Sequence, residues 1–427
     1  MTAFLRDFYK SLQDTPLEPG DAKYVPYLEH NASDADPIGC IATRIDLTDA
    51  ASVNLVSGQR GSGKSTELRR LKHLLEKQGC VVFLCDMQDY MNLTTAVEIT
   101  DFFITVMGAL GEATRIEFGE DIAREGYWER LVNFLNSEVE LKEIKAGVEA
   151  ARIDIVASLK EDPSYKSRLQ AGLRGHVARL VRQSHEFASQ VVDHVRRKTG
   201  DPDKKVVLIV DSLEQIRGVG TEASEVHQSV ENLFSGHASS LSIPKLHVVY
   251  TIPPYLTPLS PNLGRNFGGN SICNLPSVHI RHRDGKEDRQ GLDVMKEIVE
   301  KRFPEWEKIF TSPQIDRLAL SSGGDIRDFF RLIRDCLVRS ISEKSILPVP
   351  ESLLDSAENA LRREMLPIPK EDAEWLARIS KSKTAELGKV EELPQLARFF
   401  DTHVVLNYRN GEDWYDVHPL LAKILRQ

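Results

Sequence analysis

Residues 58–65 read Gly58-Gln59-Arg60-Gly61-Ser62-Gly63-Lys64-Ser65 and fit the pattern G-x-x-x-x-G-K-[ST] without a mismatch. A β-prone run, Val53-Asn54-Leu55-Val56, precedes them. Leu68, Leu71, Leu74 and Leu75 follow at helical spacing. Strand, glycine turn and helix N-terminus in that order leave few folds open. Three glycines let the backbone curl until successive N–H groups point at one anion. The helix behind them adds the positive end of its dipole. Such a loop suits a magnesium nucleoside triphosphate, with Gly58, Arg60, Gly61, Ser62, Gly63 and Thr66 as its lining. Lys64 is placed for the β- and γ-phosphates, and Ser65 for Mg2+.

A second stretch, Val206-Val207-Leu208-Ile209-Val210-Asp211, lies about 150 residues further on. Five aliphatic residues in a row predict a strand buried on both faces, the centre of a parallel sheet. Ligands bind at the carboxyl ends of such strands. Asp211 is therefore the candidate partner of Ser65 in holding Mg2+. Glu214 is the candidate for polarising an attacking water. The next strand, Leu246-His247-Val248-Val249-Tyr250-Thr251, ends in a hydroxyl. Thr251 is placed to sense the γ-phosphate or the water. Val278-His279-Ile280 predicts a last short strand.

The 427 residues suffice for two or three domains. The net charge of −9 argues against a molecule built as a whole to lie on nucleic acid. The one clearly basic stretch, residues 164–205, has ten Lys/Arg against four Asp/Glu. It reads as a solvated helix face, with a nucleic-acid or acidic-protein surface as the alternative. Five scattered cysteines without C-x-x-C spacing read as reduced thiols and a cytoplasmic protein. No apolar run is long enough for a membrane span.

Along the chain, residues 1–36 predict a short amphipathic helix (Phe4, Phe8, Leu12) and a proline-rich linker. Pro37 and Ile38 then either offer apolar contact to a base or belong to a plain connector. A helix carries Val97, Ile99, Phe102, Phe103, Val106, Met107 and Leu110. Residues 112–200 form a helical insertion, in which 137–160 show no clear period and 163–199 predict one long helix. Residues 286–368 predict helices, with Asp325 as an N-cap entered through Gly323-Gly324 and Arg327 in the first turn. Residues 369–427 predict two helices, a hairpin turning at Asn410-Gly411 and a final helix, a winged-helix pattern. Its second helix begins Glu391-Glu392 with Arg398 as its one base, which suits protein packing better than a DNA groove.

The ordered set resembles an AAA+ or STAND-type P-loop ATPase, nearest to the origin-recognition and STAND branches. The residues that carry it are the phosphate loop, the strand ending Asp211-Ser212-Leu213-Glu214, Thr251 and the glycine-led Arg327. The resemblance implies an α/β fold with a parallel five-strand core at 37–285, a helical lid at 286–368 and a winged helix at 369–427. It implies ATP and Mg2+ as cofactors, homo-oligomerisation, and an arginine reaching a neighbouring subunit's site. By position that arginine is Arg265, with Arg281 and Arg283 as rivals. Many active members have Glu directly after the Asp, where this chain has Ser212, which fits a slow switch. Two functions follow as expectations. One is an ATP-driven oligomerising switch acting on a separate protein effector, as in bacterial phage defence. The other is a DNA-binding initiator or loader, less favoured by the charge.

Overall fold

The aliphatic run at 206–210 builds the centre of the sheet. In the computed structural model, which describes residues 2–28, 36–119, 128–129, 131–133, 148–218, 220–260, 262–269 and 272–425, every residue of β3 (Val206–Asp211) is buried. With short turns left unnumbered, the chain runs α1 (Thr2–Ser11), α2 (Pro37–Leu47), β1 (Val53–Gly58), α3 (Lys64–Lys77), β2 (Val81–Asp86) and α4 (Ile99–Phe118). It continues through α5 (Val148–Glu161), α6 (Pro163–Leu173), α7 (Val177–Thr199), β3, α8 (Ala223–Glu231), β4 (His247–Ile252) and β5 (Cys273–Leu275). Then come α9 (Arg289–Arg302), α10 (Ser312–Ser322), α11 (Ile326–Glu343), α12 (Glu351–Glu364), α13 (Lys370–Ser382) and α14 (Leu393–Asp401). The hairpin β6 (Val405–Asn410) and β7 (Glu412–Val417) precedes α15 (Pro419–Leu425).

The five-stranded sheet has the order β2-β3-β4-β1-β5. β3 pairs in parallel with β2 and β4, and β4 pairs in parallel with β1. The expected α/β class with a parallel five-strand core is therefore present. The chain divides into two compact units, neither continuous in sequence: residues 1–37, 58–70 and 274–427 in one, 38–57 and 71–273 in the other.

The second unit holds β2, β3, β4 and most of β1. α4 is buried from Ile99 to Gly111, as a helix apolar on all sides must be. Its N-terminus is closed by a capping box of Glu98 and Asp101, its C-terminus by Gly119. Asp101 is also buried against Lys166 Nζ at 3.2 Å. Lys166 thus leaves the basic stretch to serve the core.

The first unit gathers α1, the phosphate loop and residues 274–427. Phe8 stacks on Phe303, with centroids 4.7 Å apart. Asp325 caps α11, accepting the Asp328 N–H at 2.9 Å. Gly323 and Gly324 both have positive φ, and a Cβ on Gly324 would stand 1.9 Å from the Val278 carbonyl oxygen. The hairpin pairs Asn410 with Glu412 around Gly411 (φ +86°). Leu406, Tyr408 and Trp414 make a small core there, the two rings stacked at 4.4 Å.

Three expectations need correction. Residues 278–280 form no strand: Val278 N–H bonds to the Gly324 carbonyl and Ile280 C=O to the Asp288 N–H. The fifth strand is Cys273–Leu275. The long helix at 163–199 is two, broken by a 3-10 turn at Arg174–His176. Residues 37–47 are helix rather than connector, and Ile38 is fully buried in the core. Of the stretch without a period, 148–160 lies in α5, and 137–147 lies outside the described residues.

Candidate nucleotide site

β1 is buried throughout and delivers the chain directly into the glycine loop. Gly61 and Gly63 take φ of +90° and +84°, where a side chain would be strained. Space also forbids one: a Cβ on Gly61 would lie 2.7 Å from Arg327 Cβ, and one on Gly58 2.7 Å from the Leu275 carbonyl oxygen. Lys64 is buried and donates to the Gly58 and Gln59 carbonyls at 2.8 and 2.6 Å. α3 opens at Lys64 and runs for 14 residues. The first N–H groups of such a helix have no intrahelical acceptor and carry its positive pole. Ser62 Oγ is buried without a hydrogen-bond partner. Curled backbone, ammonium, helix pole and orphaned hydroxyl fit a polyphosphate.

The loop is wired into the rest of its unit. Gln59 Nε2 donates to the Val405 carbonyl, and Gln59 Oε1 accepts the Asn407 N–H at 3.1 Å. One side chain therefore bonds β6 as another strand would. Tyr27 Oη donates to the Ser62 carbonyl at 2.5 Å, its ring beside Gly63. Thr66 Oγ1 accepts the Leu17 N–H at 3.0 Å. Arg327 lies over Gly61, and its Nε donates to Asp14 Oδ2 at 2.6 Å. Further along α3, Glu67 accepts from Tyr24 Oη and Arg70 Nε, and Arg70 makes a two-pronged bond to Asp36. Burial is the main force on the Glu67 carboxyl and pushes its pKa up, although Arg70 and Tyr24 pull the other way. Arg60 is exposed, and Ser65 is half-buried.

The residues expected to serve the metal and the water, Asp211, Glu214 and Thr251, lie in the second unit. Asp211 ends β3 and pairs in register with Asp86 at the end of β2. Asp211 Oδ1 accepts the Ser212 N–H at 2.7 Å. Ser212 has a φ of +70°, unusual for a residue with a side chain. Its Oγ accepts from Gln88 Nε2 and Gln215 Nε2 at 3.1 and 3.2 Å. This kink leads into a single turn, Leu213–Gln215, that carries the buried Glu214. Thr251 Oγ1 accepts the Leu213 N–H at 2.9 Å and donates to the Val210 carbonyl at 3.4 Å. The threonine hydroxyl thus shapes the turn before Glu214. Arg265 is exposed on the turn Leu263–Phe267. Arg281 donates to the Gly285 carbonyl, and Arg283 sits 3.7 Å from Glu412.

Sequence reasoning passed over Gln59, Tyr27 and Asp14. No local signal marks them, since each acts through a contact with a residue distant in sequence. The phosphate loop and the strand order 2-3-4-1-5 together settle the architecture. The fold is that of a P-loop NTPase. No family model matches the sequence, and no curated protein matches it. Among solved structures the chain is similar to the ORC2 protein of Aeropyrum pernix in its ADPNP–ADP complexes, at 11% identity and a TM-score of 0.41, over 91% of this chain and 90% of that one. It is similar to Cdc6p of Pyrobaculum aerophilum at 11% and 0.40, over 91% of each chain. A Walker-type ATPase of Pyrococcus abyssi matches at 12% and 0.41, over 92% of this chain and 95% of that one.

Proposed function

We propose that the chain binds ATP with Mg2+ at residues 58–66 and acts as a slow nucleotide switch read out through its C-terminal hairpin. The observation that carries this reading is the pair of hydrogen bonds between Gln59, inside the phosphate loop, and the backbone of β6. A loop that changes shape around phosphate would pull on that strand. Lys64 would exchange its two loop carbonyls for phosphate oxygens. Ser65 and Asp211 would hold the metal, which when bound offsets negative charge on the phosphate oxygens. Glu214 would orient the water, with Thr251 fixing its turn. Arg327 would leave Asp14 for a phosphate and so close residues 286–368 as a lid over the core at 37–285. Arg265 would reach a neighbouring subunit.

In this reading the molecule oligomerises with ATP and controls a separate protein effector, with defence against phage as the setting. The winged-helix region, 369–427, packs against protein in this scheme. α14 supports that choice: it buries Leu393, Leu396, Ala397, Phe399 and Phe400, and Arg398 pairs with Asp372. A DNA-binding loader is the other reading, and an acidic second helix serves it poorly. Size-exclusion chromatography with and without ATP tests the switch. A shift to a larger species, absent in Lys64→Ala, is expected; an unchanged assembly state overturns it. DNA affinity that falls steeply between low and high salt would favour the loader instead.

A further inference from the structure

Four polar side chains turn inward on one another where α11 begins, away from the phosphate loop. Asp325 spends Oδ1 on the cap bond to Asp328 N–H, and Asp328 spends Oδ1 on Arg331 Nη1 at 3.1 Å. The Oδ2 atom of each carboxylate is buried and has no hydrogen-bond partner. His403 Nδ1, likewise without one, lies 3.2 Å from Asp325 Oδ2 and 3.9 Å from Asp328 Oδ2. All three atoms fall within 4.8 Å of one another. The residues are 0, 2 and 8% exposed. Two buried carboxylates brought this close are strongly disfavoured unless a positive charge, an imidazolium or a metal ion, joins them.

We propose that Asp325, Asp328 and His403 hold a divalent cation of the zinc class. Bonds of about 2.0–2.2 Å in a tetrahedral site set ligand atoms roughly 3.3–3.6 Å apart. The observed 3.2 and 3.9 Å bracket that spacing. One imidazole among carboxylates suits zinc better than magnesium or calcium, which take oxygen ligands. His418 stands behind the ligands. Its Nδ1 accepts the Leu420 N–H at 3.3 Å, so the neutral ring carries its proton on Nε2, 3.6 Å from Asp328 Oδ2. At that distance it makes no hydrogen bond, but it sets a second imidazole behind the carboxylate. The fourth metal position falls to water.

The backbone supplies a separate argument. His403 has a φ of +58° just past the end of α14, and its N–H bonds to the Phe400 carbonyl. Glycine is the usual residue at that place. Keeping a histidine there makes sense where its ring has work to do. A cation here would staple the first turn of α11, which lays Arg327 over Gly61, to the segment entering β6, which bonds Gln59. The proposal stands apart from the nucleotide reading and needs no nucleotide in its test.

The test uses the full chain, purified without chelator, with metal content measured by mass spectrometry. The stripped protein is then titrated with Zn2+ by calorimetry and with Co2+ by visible absorption. The wild type should bind one equivalent that His403→Gly and Asp328→Asn both lose, weakening affinity at least about 100-fold. Tetrahedral Co2+ bands should vanish with it. His403→Gly relieves the backbone strain, so that variant should melt no lower than the metal-stripped wild type. A folded wild type that takes up neither ion overturns the proposal, as does undiminished binding in His403→Gly. An imidazolium–carboxylate cluster also overturns it, shown by added metal leaving the melting temperature of the stripped wild type unchanged.

Discussion

Gly61 shows how one residue can be fixed twice over, by its own backbone and by its neighbour. Its φ of +90° and the 2.7 Å approach of Arg327 Cβ both exclude a side chain. Gly61→Ala should destabilise the protein by about 1–3 kcal/mol, read as a lower urea midpoint with unchanged slope. Thr251 is fixed by what it bonds. Thr251→Val keeps the shape but leaves the buried Leu213 N–H without its acceptor. The expected loss is about 1–3 kcal/mol, together with slower ATP turnover as the Glu214 turn loosens. Unchanged turnover beside lowered stability would confine Thr251 to a structural role. Legibility at this scale was uneven. Lys64, Ser65 and Asp211 declare themselves by position next to a glycine loop or at the end of an aliphatic strand. Gln59 and Tyr27 do not, because their partners lie 346 and 35 residues away.

At the scale of elements, periodicity and turn chemistry were reliable where the backbone is satisfied locally. The cap at Asp325, the Gly411 hairpin and the buried β3 each follow from their own residues. The misread strand at 278–280 had the right alternation, yet its backbone bonds go to Gly324 and Asp288 instead of a neighbouring strand. The break between α6 and α7 was hidden because one apolar stripe, Leu169, Leu173, Leu180 and Phe187, continues across it. The coupling of loop to hairpin is the element-scale claim with most consequence. Gln59→Leu should leave the Val405 carbonyl and Asn407 N–H unpaired, a loss of about 1–3 kcal/mol. It should also abolish any ATP-dependent change in hydrogen exchange at residues 405–407, while the wild type shows one. Equal changes in both proteins would break the proposed link.

For the whole molecule, acid is the informative stress. His227 and His247 are buried, and burial lowers each pKa from 6.5 to about 4. Well above pH 6.5 both rings are neutral in folded and unfolded chains. Below it the unfolded chain takes up protons that the folded one refuses, so stability falls from about pH 6.5 towards pH 4. His227→Phe, beside the Tyr255 ring, should lose less stability between pH 7 and pH 5 than the wild type. Among the described residues no helix is long and apolar enough to cross a membrane, and Cys85, whose thiol burial pushes up to about 12, is a core residue rather than a reactive one. The account as a whole rests on the phosphate loop, and calorimetric titration of the folded chain with ATP and Mg2+ tests it most directly. Saturable heat near one equivalent per chain, lost in Lys64→Ala, is the result expected; no heat from the folded wild type, or the same heat from Lys64→Ala, would contradict it.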